Sequence, residues 1–268
     1  MDAKLILKYP CAVKRLVALI AVIVGFVMIY GVRRTHRRDA QNKARWLQSA
    51  CQQVLRVLAV KVESRGSPAP GVVIVANHLS YLDILVVAAL TPVVFVSKKE
   101  VRRWPVFGWF AEKAGTRFID RNRRGDITRI TAELGPLLAK GLTIVIFLEG
   151  TTTSGNAILP FKASLLEPAV RHGWRVLPAA INYDVPLGRS VADEVCWWGE
   201  MTLAPHLWNL ITLPWVRARV GWGEPLIAGG ARKELAVALH ARVVTLKHEH
   251  RFARVEETKT PDDLLLVS

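Results

Sequence analysis

From residue 71 onward the sequence alternates short apolar runs with longer stretches of helical periodicity, and this rhythm restricts the fold more than any other feature. Strand-like runs fall at 72–76, 93–97, 116–119, 142–147 and 175–181. Between them, 81–90, 105–114, 127–140 and 162–172 carry helical patterns, with Asp126 placed as an N-cap and Gly141 and Gly173 as stops. Apolar strands alternating with helices mark a parallel sheet, because each crossover lays a helix against it. The expected fold class is therefore α/β, a mostly parallel central sheet with helices on both faces. A chain of 268 residues holds one large domain of this kind or two small ones.

The N-terminal part reads differently. Residues 16–32 form an uncharged, almost wholly apolar run that spans roughly 26 Å as a helix, just short of a hydrocarbon core of roughly 30 Å. Lys4, Lys8, Lys14 and Arg15 precede it, and Arg33, Arg34, Arg37, Arg38, Lys43 and Arg45 follow it. The heavier following flank predicts a membrane-anchoring helix with the rest of the chain on the cytoplasmic side of an inner membrane. An interfacial helix that never crosses is the alternative, and a cleaved signal peptide lacks a suitable cleavage site. Of the net charge of +15, residues 1–65 carry +10, from 13 Lys/Arg against 3 Asp/Glu, so the body is only mildly basic. With 51% hydrophobic residues and a mean hydropathy of +0.24, a membrane-associated protein fits better than a freely soluble one.

Residues 44–58 show a helical apolar stripe read as packing on its own domain, and 60–64 alternate like a strand. The domain division expected is an arm over 1–65, with a membrane helix and an amphipathic helix, followed by a body over 66–268. Beyond 183 the pattern is irregular: Trp197, Trp198, Trp208, Trp215 and Trp222 fall in one stretch, before a closing helix over 231–250. That stretch fits a packed core, a membrane interface or the lining of an apolar tunnel.

Chemistry concentrates where the first strand of the alternation ends. "NHLSYLD" (77–83) interrupts two apolar segments with His78 and, five residues later, Asp83. Positions i and i+5 lie about 140° apart on a regular helix. The two side chains meet only if His78 sits in the strand-to-helix turn and Asp83 reaches back from the first helical turn. A histidine oriented by a carboxylate is a general base, although a structural histidine fits the pair as well. No G-x-S-x-G supplies a nucleophile, so the proton would come from a hydroxyl of the substrate.

Further segments share a pattern with this one. "NHLSYLD" resembles the H-x-x-x-x-D block of the glycerolipid acyltransferase superfamily, which includes bacterial 1-acylglycerol-3-phosphate acyltransferases and their lysophospholipid relatives. "GTRFIDR" (115–121) resembles the second block, "FLEGTTTSG" (147–155) with "LPFKAS" (159–164) the third, and "VLPAAI" (176–181) the fourth. The motif-bearing core thus covers about 71–185, which makes the body an acyltransferase domain. The resemblance implies acyl transfer from acyl-CoA or acyl-carrier protein to a lysolipid hydroxyl, with His78 as base and Asp83 as its orienting acid. Arg121 would grip a phosphate, the alternative being a surface salt bridge to Asp120 or Asp126. Glu149, Gly150 and Thr151 would form an acceptor- or oxyanion-binding turn, Glu149 holding an acceptor hydroxyl or a neighbouring base.

One departure bears on the acceptor. The third block of the lysophosphatidate enzymes carries a proline and an arginine where this chain has Leu148 and Thr152, so the sequence looks more like the branch that acylates lyso-ornithine lipid or lysophospholipids with larger head groups. Neither metal nor cofactor is expected, the acyl thioester being a co-substrate. Expected partners are lysolipid, acyl thioester and membrane, with acyl-carrier protein as a possible donor and no nucleic acid. A non-catalytic basic module binding membranes or nucleic acid is the rival outside this class. Cys11, Cys51 and Cys196, without ligand spacing, read as inert buried thiols.

Overall fold

In a computed structural model the described residues are 10–32, 39–120 and 123–257. The helix α1 (Pro10–Val32) is followed by α2 (Ala40–Val57), β1 (Val60–Arg65), β2 (Val73–Ala76), α3 (Leu82–Leu90) and β3 (Val93–Lys98). A 3-10 turn (Lys99–Arg103) leads to α4 (Phe107–Lys113), β4 (Arg117–Ile119), α5 (Arg124–Ala139) and β5 (Thr143–Ile146). After a second 3-10 turn (Ala163–Leu166) come α6 (Glu167–His172), β6 (Arg175–Asp184), α7 (Val191–Glu194) and α8 (Leu203–Thr212). The chain closes with β7 (Val216–Trp222), β8 (Leu226–Ile227) and α9 (Arg232–Glu257).

The sheet runs β1-β7-β6-β2-β5-β3-β4, with β8 pairing β6. β6, β2, β5, β3 and β4 are mutually parallel. β7 runs antiparallel to β6, and β1 follows β7 in parallel. The mostly parallel α/β expectation is met; of the reversed pair, β1 falls on the alternating stretch over 60–64 and β7 on the segment beyond 183, in which the sequence offered no clear rhythm. β2 lies at the centre, buried at every residue, as a parallel strand covered on both faces must be. Its side chains alternate between two cores. Ile74 and Ala76 join the cluster under α2, α3 and α8, while Val73 and Val75 join the one under α5, α6 and α9.

Several boundaries move from their sequence expectations. Asp126 is not the N-cap of α5. The helix starts at Arg124, and the Asp126 carboxylate accepts the N–H of Asp120 (2.7 Å), closing the turn before it. The 162–172 pattern divides into a 3-10 turn and a short helix, with Pro168 near the start of the latter. Asp39 caps α2 by accepting the Asn42 N–H, so α2 starts four residues before the apolar stripe. Cys51 and Cys196 are buried, and burial pushes both thiols up to about 12, whereas Cys11 is exposed on α1.

α1 extends over 23 residues, about 35 Å, so the shortfall against a hydrocarbon core disappears. Among the described residues it is the one helix long and apolar enough to cross a membrane. It does not stand free of the domain. Ala12, Leu19 and Tyr30 are buried, Tyr30 against Trp46 of α2, and Arg15 donates to the carbonyls of Ile211, Leu213 and Pro214 at the end of α8. The opposite stripe, Val17, Ile20, Val24 and Met28, is exposed. The flanking residues Lys4, Lys8, Arg33, Arg34, Arg37 and Arg38 lie outside the described residues.

α4 packs on the preceding 3-10 turn because Gly108 lacks a side chain. A Cβ there would meet Arg102 O at 2.3 Å and Val101 O at 2.7 Å. Gly108→Ala is expected to destabilise the protein by about 1–3 kcal/mol through forced backbone displacement. Chemical denaturation of the detergent-solubilised chain checks this, a change within experimental error showing that the turn yields freely.

Candidate active site

β2 ends at Ala76 and α3 begins at Leu82, which leaves His78 in the junction ahead of regular winding. Asp83, in the first turn of α3, reaches back so that its Oδ2 lies 2.8 Å from His78 Nδ1. The same oxygen accepts the N–H groups of Leu79 (2.6 Å) and Ser80 (3.0 Å), and Oδ1 accepts the Tyr183 hydroxyl (2.7 Å). Asp83 is fully buried. With every neighbour donating to it, the carboxylate acts as acceptor, which places the ring proton on Nδ1 and leaves Nε2 with the lone pair.

The main chain around the histidine is clamped as well. His78 N–H donates to Glu149 Oε1 (2.6 Å), Leu159 N–H donates to Glu149 Oε2 (2.7 Å), and Thr153 N–H donates to His78 O (3.1 Å). Asn77 exchanges two hydrogen bonds with Ile181 of β6 through its side-chain amide. The imidazole stacks on Phe147, with centroids 3.9 Å apart and planes within 9°, and Phe147 stacks in turn on Phe95.

One edge of this arrangement opens into a cavity of about 310 Å³, lined by His78, Phe95, Phe147, Gly150, Thr151, Thr152, Trp104, Trp197 and Trp198, with Lys98 also in its wall. The His78 side chain is 16% exposed, so the base is neither sealed nor fully in water. Ser97 and Lys98 at the carboxyl end of β3 and Phe147 just past that of β5 line the cavity, at the edge where parallel sheets place ligands.

The other sequence candidates fall as follows. Gly150 has φ +76°, a conformation that favours glycine, and its own N–H turns back to Phe147 O (3.3 Å). Thr151 and Thr152 line the cavity. Glu149 does not; both its oxygens accept backbone N–H groups, so it holds the main chain of His78. Arg121 lies outside the described residues. Sequence reasoning overlooked Asn77, Tyr183, Lys98 and Trp104. Asn77 had a signal, a polar residue ending an apolar strand beside His78, while Tyr183 had none in its own neighbourhood.

A histidine backed by a buried carboxylate and opening onto a largely apolar cavity at the end of a parallel sheet defines a class, α/β proteins with an oriented imidazole beside an apolar cavity. The comparisons give the family. The acyltransferase family model matches residues 59–182. The chain is 36% identical over 208 residues to a lyso-ornithine lipid O-acyltransferase of Brucella abortus (strain 2308), covering 72% of this chain and 78% of that protein. It is 35% identical over 194 residues to a 1-acyl-sn-glycerol-3-phosphate acyltransferase of Neisseria meningitidis serogroup B, covering 71% and 74%. The crystal structure of the 1-acyl-sn-glycerophosphate acyltransferase of Thermotoga maritima shares the fold, with a TM-score of 0.60, 19% identity, and coverage of 92% of this chain and 99% of that one. The chain belongs to the acyltransferase family and is an enzyme, which removes the reading as a non-catalytic basic module.

Burial is the leading influence on the Glu149 carboxyl and raises its pKa above the ordinary 4.5, against the lowering effect of the Leu159 and His78 N–H groups. A folded pKa above the unfolded one means that the stabilising contribution is complete below the ordinary value. It is lost as pH rises through the folded value. Glu149→Gln lacks this titration. The stability of wild type relative to this variant, from urea denaturation between about pH 4 and pH 8, is expected to decline with rising pH. A pH-independent difference would show that burial does not govern this carboxyl.

Proposed function

We propose that the enzyme moves a fatty acyl group from an acyl thioester, acyl-CoA or acyl-carrier protein, to the free hydroxyl of a lysolipid. The observation that carries this is the contact of 2.8 Å between His78 Nδ1 and Asp83 Oδ2 at the mouth of a cavity of about 310 Å³. With Nδ1–H directed to Asp83, Nε2 accepts the proton of the acceptor hydroxyl as its oxygen attacks the thioester carbonyl. The C–O bond forms, and collapse of the tetrahedral adduct breaks the C–S bond. The thiolate then takes the proton from the imidazolium, whose charge Asp83 stabilises. The nucleophile belongs to the lipid, so both substrates occupy the cavity together and no acyl-enzyme forms. The aromatic wall suits an acyl chain, and Arg121 is assigned to an anionic group of the substrate.

The relatives named for 1-acyl-sn-glycerol-3-phosphate make that acceptor, or a related lysophospholipid, the first reading. A second is favoured by Thr152, which lines the cavity where the lysophosphatidate pattern has arginine: lyso-ornithine lipid as acceptor. α1 holds the protein at the membrane through its exposed apolar stripe, and its basic following flank sets the catalytic domain on the cytoplasmic face of the inner membrane.

Membranes bearing the protein, supplied with labelled acyl thioesters and a panel of lysolipids, test the reaction and the acceptor together. His78→Ala is expected to lower acyl transfer by about 10²–10⁴ while folding and membrane attachment persist. Wild-type turnover in that variant removes His78 from the reaction. Arg121→Ala is expected to raise KM for an anionic acceptor about tenfold or more with little change for the thioester, whereas equal effects on both make Arg121 structural.

A further inference from the structure

The loop between Phe147 and Lys162 carries Glu149, Gly150, Thr151 and Thr152 past the cavity without a helix or strand to hold it. Two of its anchors come from α9, which lies wholly beyond the residues matched by the family model. Lys247 Nζ donates to Gly155 O (2.7 Å), and His240 Nε2 donates to Ile158 O (3.0 Å). Seven residues apart, they fall on one face of the helix, two turns from each other. Their carbonyl partners bracket residues 155–158, and the next residue, Leu159, gives its N–H to the carboxylate that grips His78.

Lys247 is 7% exposed, an unusual position for an ammonium group, which loses hydration there. Its own carbonyl accepts from Asn182 of β6, so α9 is fixed to the sheet at the residue that reaches out to the loop. Gly155 packs beside Leu79 and Cys196 and has φ +87°, a conformation that favours glycine. Lys247 also lines a polar hollow of about 190 Å³ shared with Asn156, Asn182 and Arg219. The charge of Lys247 favours the ionised form of Glu149 as well.

We infer that Lys247 is a positioning residue for the His78 site, acting through Gly155, Leu159 and Glu149 to fix the backbone that presents the imidazole. The inference rests on the acyl-transfer reading above for its kinetic arm only. Lys247→Met keeps the length of the side chain and removes the donor, and Lys247→Arg restores a donor.

Hydrogen exchange of segment 155–159 in the full-length protein is expected to quicken about tenfold in Lys247→Met and to return towards wild type in Lys247→Arg. In parallel, kcat for lysolipid acylation should fall about tenfold in Lys247→Met, with KM for the acyl thioester within about twofold of wild type and recovery in Lys247→Arg. Unchanged exchange in Lys247→Met overturns the inference whatever the activity does. Faster exchange with wild-type kcat overturns it too, since the loop then loosens without consequence for the base. Should Lys247→Met fail to fold, His240→Leu, which removes the donor to Ile158 O and loosens the same loop, serves for both measurements under the same criteria. A wild-type enzyme inactive towards every lysolipid removes the proposed function instead, and the exchange measurement still decides the tether.

Discussion

A carboxylate taken wholly out of water is costly unless donors replace its hydration, and the solution found for Asp83 shapes everything around it. Two of its donors are the N–H groups of Leu79 and Ser80, so the chain leaving β2 has to wrap about the carboxylate before α3 can begin. The third is the imidazole of His78, fixed thereby in one tautomer. The fourth is Tyr183, whose hydroxyl ties the arrangement to β6 and whose own pKa is pushed well upward, by burial first and by Asp83 second. Base, turn and neighbouring strand are held by one buried charge.

Glu149 does for the backbone what Asp83 does for the ring. Its two oxygens join the loop after β5 to the junction after β2, and Asn77 joins that junction to β6. These three side chains are buried and each is satisfied largely by backbone groups, so the junction is cross-linked to both neighbouring strands. Such networks are rigid when complete, and this one holds the His78 imidazole in one geometry at the cavity. The stacked Phe147 and Phe95 give the ring an apolar backing and lead into the aromatic wall of the cavity.

The sequence by itself determined the parallel strands, the helices that cover them, the apolar N-terminal helix and the identity of the His–Asp pair. Each of these is written in short-range pattern: alternation with period two or 3.6, Gly stops, and a five-residue spacing that only a strand-to-helix turn can close. Tertiary structure alone decided the rest. Tyr183 stands 100 residues from Asp83, Glu149 stands 71 from His78, and Lys247 stands 92 from Gly155. Which strand ends and which helix face come together depends on sheet order and on packing of α9 across the sheet, and no local periodicity encodes either. The same holds for the reversed β1–β7 pair and for the turning of Glu149 away from the cavity, because both follow from satisfying buried backbone groups with partners distant in the chain.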